Sequence, residues 1–67
     1  MVHLWDMRGT QKHGFYVDRC SRCGALRLTG GFVTFVRPQE ANKFLTTNQR
    51  VEMCEYFPCE EVTYGDN

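Results

Sequence analysis

The sequence predicts a small mainly-β fold: an antiparallel sheet with at most one short helix, gathered at one end by cysteines. Three observations lead there. Runs of β-branched and aromatic residues recur, the purest being Phe32-Val33-Thr34-Phe35-Val36. Glycine-bearing turns separate the runs, as at Gly30-Gly31. Four cysteines stand in two pairs, Cys20 with Cys23 and Cys54 with Cys59. At 67 residues the chain makes a single domain, residues 1–67, with too little core to be stable on burial alone. Chains of this size need a staple.

The elements follow in order. Residues 2–8 read as a strand, with Val2, Leu4, Trp5 and Met7 apolar. Residues 9–14 form a polar turn with glycine at each end. A second strand starts at Phe15 and runs into Cys20, making an antiparallel hairpin with the first. Residues 25–29 form a third strand, alternating at Leu26, Arg27 and Leu28, and residues 32–36 form a fourth. Arg37-Pro38 ends it, because proline cannot donate to a ladder. Residues 39–48 allow one or two helical turns, halted by Thr46, Thr47 and Asn48. Residues 50–54 alternate again, and residues 60–64 offer a last short strand before a frayed end.

Cys20-Ser21-Arg22-Cys23-Gly24 is the stretch on which the chain is organised. Two thiols separated by two residues reach one metal ion from a single tight turn, and Gly24 suits the positive φ that such a turn needs. The second pair, with four residues between Cys54 and Cys59, lies in the same ligand-spacing range. Thiolates favour zinc over magnesium or calcium, which prefer oxygen. The expected ligands are Cys20, Cys23, Cys54 and Cys59, with His3 the rival to Cys54 for the fourth place. Cys54 ends an alternating run and also fits a small buried apolar position; free cysteine often occupies one. His13, in a polar turn, is expected to be solvated.

A four-ligand site leaves no coordination position for water, so the zinc is expected to be structural and the chain not an enzyme. A redox role for Cys20 and Cys23 would need a strand-to-helix junction, whereas strands are expected on both sides. The N-terminus lacks the basic region and apolar run of a secretion signal, and no apolar run approaches about 20 residues. A reducing cytoplasm is therefore expected, where paired cysteines hold metal more often than they form disulfides.

The net charge of zero conceals an asymmetry. Residues 1–38 carry six basic and two acidic side chains; residues 39–67 carry two and six. Arg19, Arg22 and Arg27, with Arg8 and Lys12 nearby, are candidate contacts for phosphate or carboxylate. Tyr16, Phe32 and Phe35 offer stacking faces, although core packing better suits Phe32 and Phe35. Trp5, Tyr56 and Phe57 are candidate apolar anchors for a protein. A protein partner is favoured slightly over nucleic acid, with no membrane and no small-molecule substrate expected.

The knuckle Cys20-Ser21-Arg22-Cys23-Gly24 resembles that of the zinc-ribbon superfamily. The wider set of His3-Leu4-Trp5-Asp6, Tyr16 and Cys20-Ser21-Arg22-Cys23-Gly24-Ala25-Leu26-Arg27 resembles small zinc-ribbon-like proteins encoded by tailed bacteriophages. The likeness covers mainly residues 3–27, with Cys59 behind Pro58. It implies one zinc ion between two knuckle turns and an antiparallel sheet. It also implies binding to nucleic acid, RNA polymerase or another protein, such as a host enzyme inhibited in the host cytoplasm. The second loop departs from the ribbon pattern, with no glycine after Cys59 and two glutamates instead.

Overall fold

The register of the first hairpin positions everything after it. In the computed structural model, which describes residues 2–59 (Met7 and Arg8 by backbone alone), β1 (Trp5–Lys12) pairs antiparallel with β2 (Phe15–Cys20). Trp5 lies opposite Cys20, and Lys12 opposite Phe15. The expected six-residue turn narrows to His13-Gly14, with φ of 53° and 84°. Those angles suit a two-residue hairpin turn whose twist matches the flanking strands. Gly9, at φ 73°, lies inside the strand instead. Arg8 and Gly9 are extra residues between Met7, opposite Asp18, and Thr10, opposite Val17. A glycine at positive φ lets a strand absorb such a bulge and continue. β1 starts at Trp5 rather than Val2; one further in-register bond, from the Ser21 N–H to the Leu4 carbonyl at 2.9 Å, continues the pairing to the point where β2 gives way to the turn after Cys20.

β3 (Leu26–Thr29) and β4 (Val33–Val36) complete a meander of order β1-β2-β3-β4. Phe32 drops out of the fourth strand because its carbonyl closes the turn on the Gly30 N–H at 2.9 Å. Helix α1 (Pro38–Thr46) follows, with proline in its first turn, where the missing N–H costs nothing. The Thr46 hydroxyl donates to the Asn42 carbonyl and the Thr47 hydroxyl to the Lys43 carbonyl, both at 2.7 Å. These threonine side chains bond back onto the preceding turn, where the Thr47 N–H also closes the helix on the Lys43 carbonyl at 3.1 Å. The run expected as a strand over residues 50–54 pairs only at Cys54. Val51 turns inward to pack on the helix-side core. The strand expected at residues 60–64, and the frayed end after it, fall outside the described residues. No helix among the described residues is long and apolar enough to cross a membrane.

Alternation along the strands gives the sheet two different faces. On one, Val17, Leu26, Leu28 and Val36 meet Ala41 and Phe44 of α1 in an apolar core. On the other, Asp18, Arg27 and Phe35 lie side by side in register. Arg27 donates to one Asp18 oxygen from Nε at 3.1 Å and Nη2 at 2.8 Å, and its guanidinium lies 5.0 Å from the Trp5 ring centroid. Beyond that row, at the end where β2 finishes, Cys20, Cys23, Ala25, Phe57 and Cys59 form a second buried cluster.

Phe44 is the largest fully buried side chain. Phe44→Ala should lower unfolding free energy by about 3–5 kcal/mol in urea denaturation of the metal-loaded protein. Val33→Ala, on an exposed strand position, should change it by less than about 1 kcal/mol.

Candidate metal centre

The second cluster is built from the knuckle outward. Cys20 is the last residue of β2 and faces the same side as Asp18. The chain then reverses, with the Gly24 N–H donating to the Cys20 carbonyl at 2.9 Å and the Cys20 N–H to the Ala25 carbonyl at 2.8 Å. Gly24 has φ 87°, which a side chain would strain. The Arg22 N–H points at Cys20 Sγ, 3.3 Å away. The same turn holds the chain ahead of β1. Besides the Ser21–Leu4 bond, the Arg22 guanidinium donates to the Val2 carbonyl at 3.1 Å. His3, between those two anchored carbonyls, is thereby presented to the knuckle.

His3 is buried and oriented from several sides. Its ring stacks on Trp5 at 4.6 Å and meets the edges of Tyr56 and Phe57 at 5.6 and 5.5 Å. Nε2 donates to the Phe57 carbonyl at 2.8 Å, which keeps the proton on Nε2 and leaves the Nδ1 lone pair for a metal. Nδ1 lies 3.5 Å from Cys23 Sγ. Cys20 Sγ and Cys59 Sγ are 3.7 Å apart, far beyond the ~2.05 Å of a disulfide bond. One ligand atom from each of His3, Cys20, Cys23 and Cys59 falls within 4.8 Å of all the others, and all four residues are buried. This group could hold a metal ion.

The group that could hold a metal thus includes His3 and not Cys54. Cys54 exchanges backbone hydrogen bonds with Phe35 in both directions, at 3.0 and 2.8 Å, on the outer edge of β4. Its thiol is aimed at the Phe35 carbonyl, 3.6 Å away. That bridge fixes its side chain outside the cluster, and only Cys59 of the second pair turns in. The signal for His3 lies in the hairpin register: two residues before Trp5, it stands just beyond the position opposite Cys20. His13 is exposed at the far end of the hairpin, with its ring edge against Phe44 at 5.0 Å.

The expected contact residues divide. Arg27 is committed to Asp18 and Trp5, and Arg22 reaches back to Val2. Arg19 is half-buried on the helix side of β2. Phe57 is buried, with the Arg37 guanidinium 4.5 Å from its ring, whereas Tyr56 is 57% exposed.

The thiols do not share one acidity. Burial pushes Cys20 up, but hydrogen bonds from the Cys23 and Leu4 backbone, from His3 and from the Arg22 backbone outweigh it, lowering the thiol to about 6. Burial also pushes Cys59 up, and hydrogen bonding and charge from Cys20 and Cys23 add to it, raising Cys59 to about 12. The physical cause is crowding: a further thiolate in this space needs a cation beside it.

The chain matches no family model, no curated protein and no solved structure.

His3→Ala should weaken metal binding by about 10²-fold or more, whereas Cys54→Ser should leave it within a few-fold, as read by competition with a chromophoric chelator. The acidities also set a pH dependence. Between pH 6 and 9 Cys59 carries a proton that binding must release, so affinity should rise at least about tenfold per pH unit. Below about pH 6 Cys20 is protonated as well, and the slope should steepen by about another tenfold per unit.

Proposed function

We propose that the chain is a small zinc-binding interaction module, with a structural ion and a protein as partner. The observation that carries this reading is the closed set of three sulfurs and one imidazole nitrogen. A tetrahedron with Zn–S of about 2.3 Å and Zn–N of about 2.05 Å has edges of about 3.8 Å between sulfurs and about 3.6 Å between sulfur and nitrogen. The Cys20–Cys59 and Cys23–His3 separations, 3.7 and 3.5 Å, lie close to those edges. Three soft thiolates and an imidazole suit zinc and exclude the hard, oxygen-seeking cations. Zinc would join three separate stretches of chain: the lead into β1, the knuckle after β2, and the segment ending at Cys59.

Four protein ligands fill a tetrahedron, which supports a non-enzymatic role. The likeness of the knuckle to zinc ribbons agrees with this, as does the phage setting that the likeness implies. Here the second half-site would comprise one cysteine and one histidine instead of a second knuckle. Thiols kept free for metal fit a reducing cytoplasm. A protein partner is favoured over nucleic acid because Arg22 and Arg27 already serve internal contacts. Tyr16, Phe32, Val33 and Tyr56 are meanwhile more than half exposed and offer apolar anchors.

Native mass spectrometry of purified protein should count one zinc ion per chain. A chelator should then collapse the dispersed amide spectrum; an unchanged spectrum and melting point in metal-free protein would overturn the reading. Capture from lysate should recover a protein that persists after nuclease treatment, whereas loss with nuclease would shift the assignment to nucleic acid.

A further inference from the structure

A groove of about 450 Å³ opens at the end of the sheet away from the thiol cluster. Small-ligand sites span about 300–1,000 Å³. Three parts of the chain enclose it. The hairpin turn and the start of β2 give His13 and Phe15, the segment after α1 gives Arg50, Val51 and Met53, and Phe44 of α1 closes the bottom from within the core. Phe15 and Val51 are half-buried and Met53 is 40% exposed. These three, rather than Phe44, are the apolar surface that a ligand can touch.

Arg50 is exposed and makes no hydrogen bond, ion pair or ring contact among the described residues. No described acidic side chain lines the groove; Glu52 borders a separate one with Arg37 and Glu40. The groove therefore carries one permanent positive charge with open donors, a planar fork matched to a carboxylate. The apolar groups favour a flat ring as the rest of the ligand. Phe15 is fixed by the Phe32 ring, set edge-on at 5.6 Å, and the Met53 sulfur lies on the facing segment. Both gain more from an aromatic ring than from a saturated chain.

His13 adds an independent observation. It stands at φ 53° in the first place of a two-residue turn, where asparagine or glycine is preferred. The turn alone does not account for a histidine there, and residues held in sparsely populated backbone regions cluster at functional sites. Its ring, 5.0 Å from that of Phe44, forms one wall of the groove.

We propose that this groove binds a small aromatic monocarboxylate, with the carboxylate on Arg50 and the ring against His13, Phe15 and Met53. The inference rests neither on the metal nor on a protein partner.

The test is an NMR titration of the full chain with 3-phenylpropanoate. Saturable shifts are expected at the Met53 and Val51 methyl groups, the Phe15 ring and the Arg50 Nε–H, while the His3 ring signals stay in place. Arg50→Gln, at an exposed position, should keep the amide spectrum dispersed and weaken binding by about tenfold or more. His13→Asn suits the turn at least as well, so it should leave the melting point no lower yet weaken binding several-fold. The alcohol 3-phenylpropan-1-ol, which lacks the charge, and 3-cyclohexylpropanoate, which lacks the flat ring, should both bind more weakly. Absence of saturable shifts overturns the proposal, as does undiminished binding in either variant or equal binding of either analogue.

Discussion

Three sulfur atoms and one imidazole nitrogen, drawn within 4.8 Å of one another, make an arrangement that cannot be fully ionised by itself. One thiol is eased toward its anion by backbone N–H groups, and that same charge holds the proton on another. The fold is arranged around this tension. The knuckle supplies two sulfurs from one turn, the Leu4 and Val2 carbonyls tie the lead segment to that turn, and Phe57 both buries the cluster and orients the imidazole. These contacts join residues far apart in sequence, His3 and Phe57 by 54 positions, and together they bring residues from near both ends of the described chain to one point.

The rest of the sheet continues from that point. Its helix-side face is an ordinary small apolar core, covered by a helix of nine residues. Its other face mixes chemistries in a graded way. The thiol cluster gives way to His3, Trp5 and Phe35 in ring contact, and then to Arg27 paired with Asp18 against Trp5. Trp5 touches both the imidazole and the guanidinium, so the site and the sheet share one side chain. Asp18 is buried with its charge matched, as a carboxylate that deep requires.

What is legible in the sequence and what is not follows from range. The knuckle is legible because its ligands share a turn, and β3, β4 and the end of α1 are legible because β-branched runs, glycines and threonines act locally. His3 is obscured because its place depends on strand register, which a bulge shifts. Gly9 reads as a turn residue by type, yet the chain spends its positive φ inside a strand and reverses at His13-Gly14. Cys54 has ligand-like spacing, but its edge pairing with Phe35 overrides spacing. Arg27, one of three similar arginines in sequence, is set apart only by the cross-strand neighbour it meets, Asp18.

That bulge has a further consequence for how copies of the molecule behave toward each other. An outer strand with a regular row of amide donors and acceptors invites another chain to zip onto it. β1 is such a strand, eight residues long, but Arg8 and Gly9 break its rhythm near the middle. The opposite margin of the sheet is occupied at Phe35 by the Cys54 backbone. Among the described residues, neither border offers a long, even template for another chain, although the surface carries several uncovered aromatic and aliphatic groups.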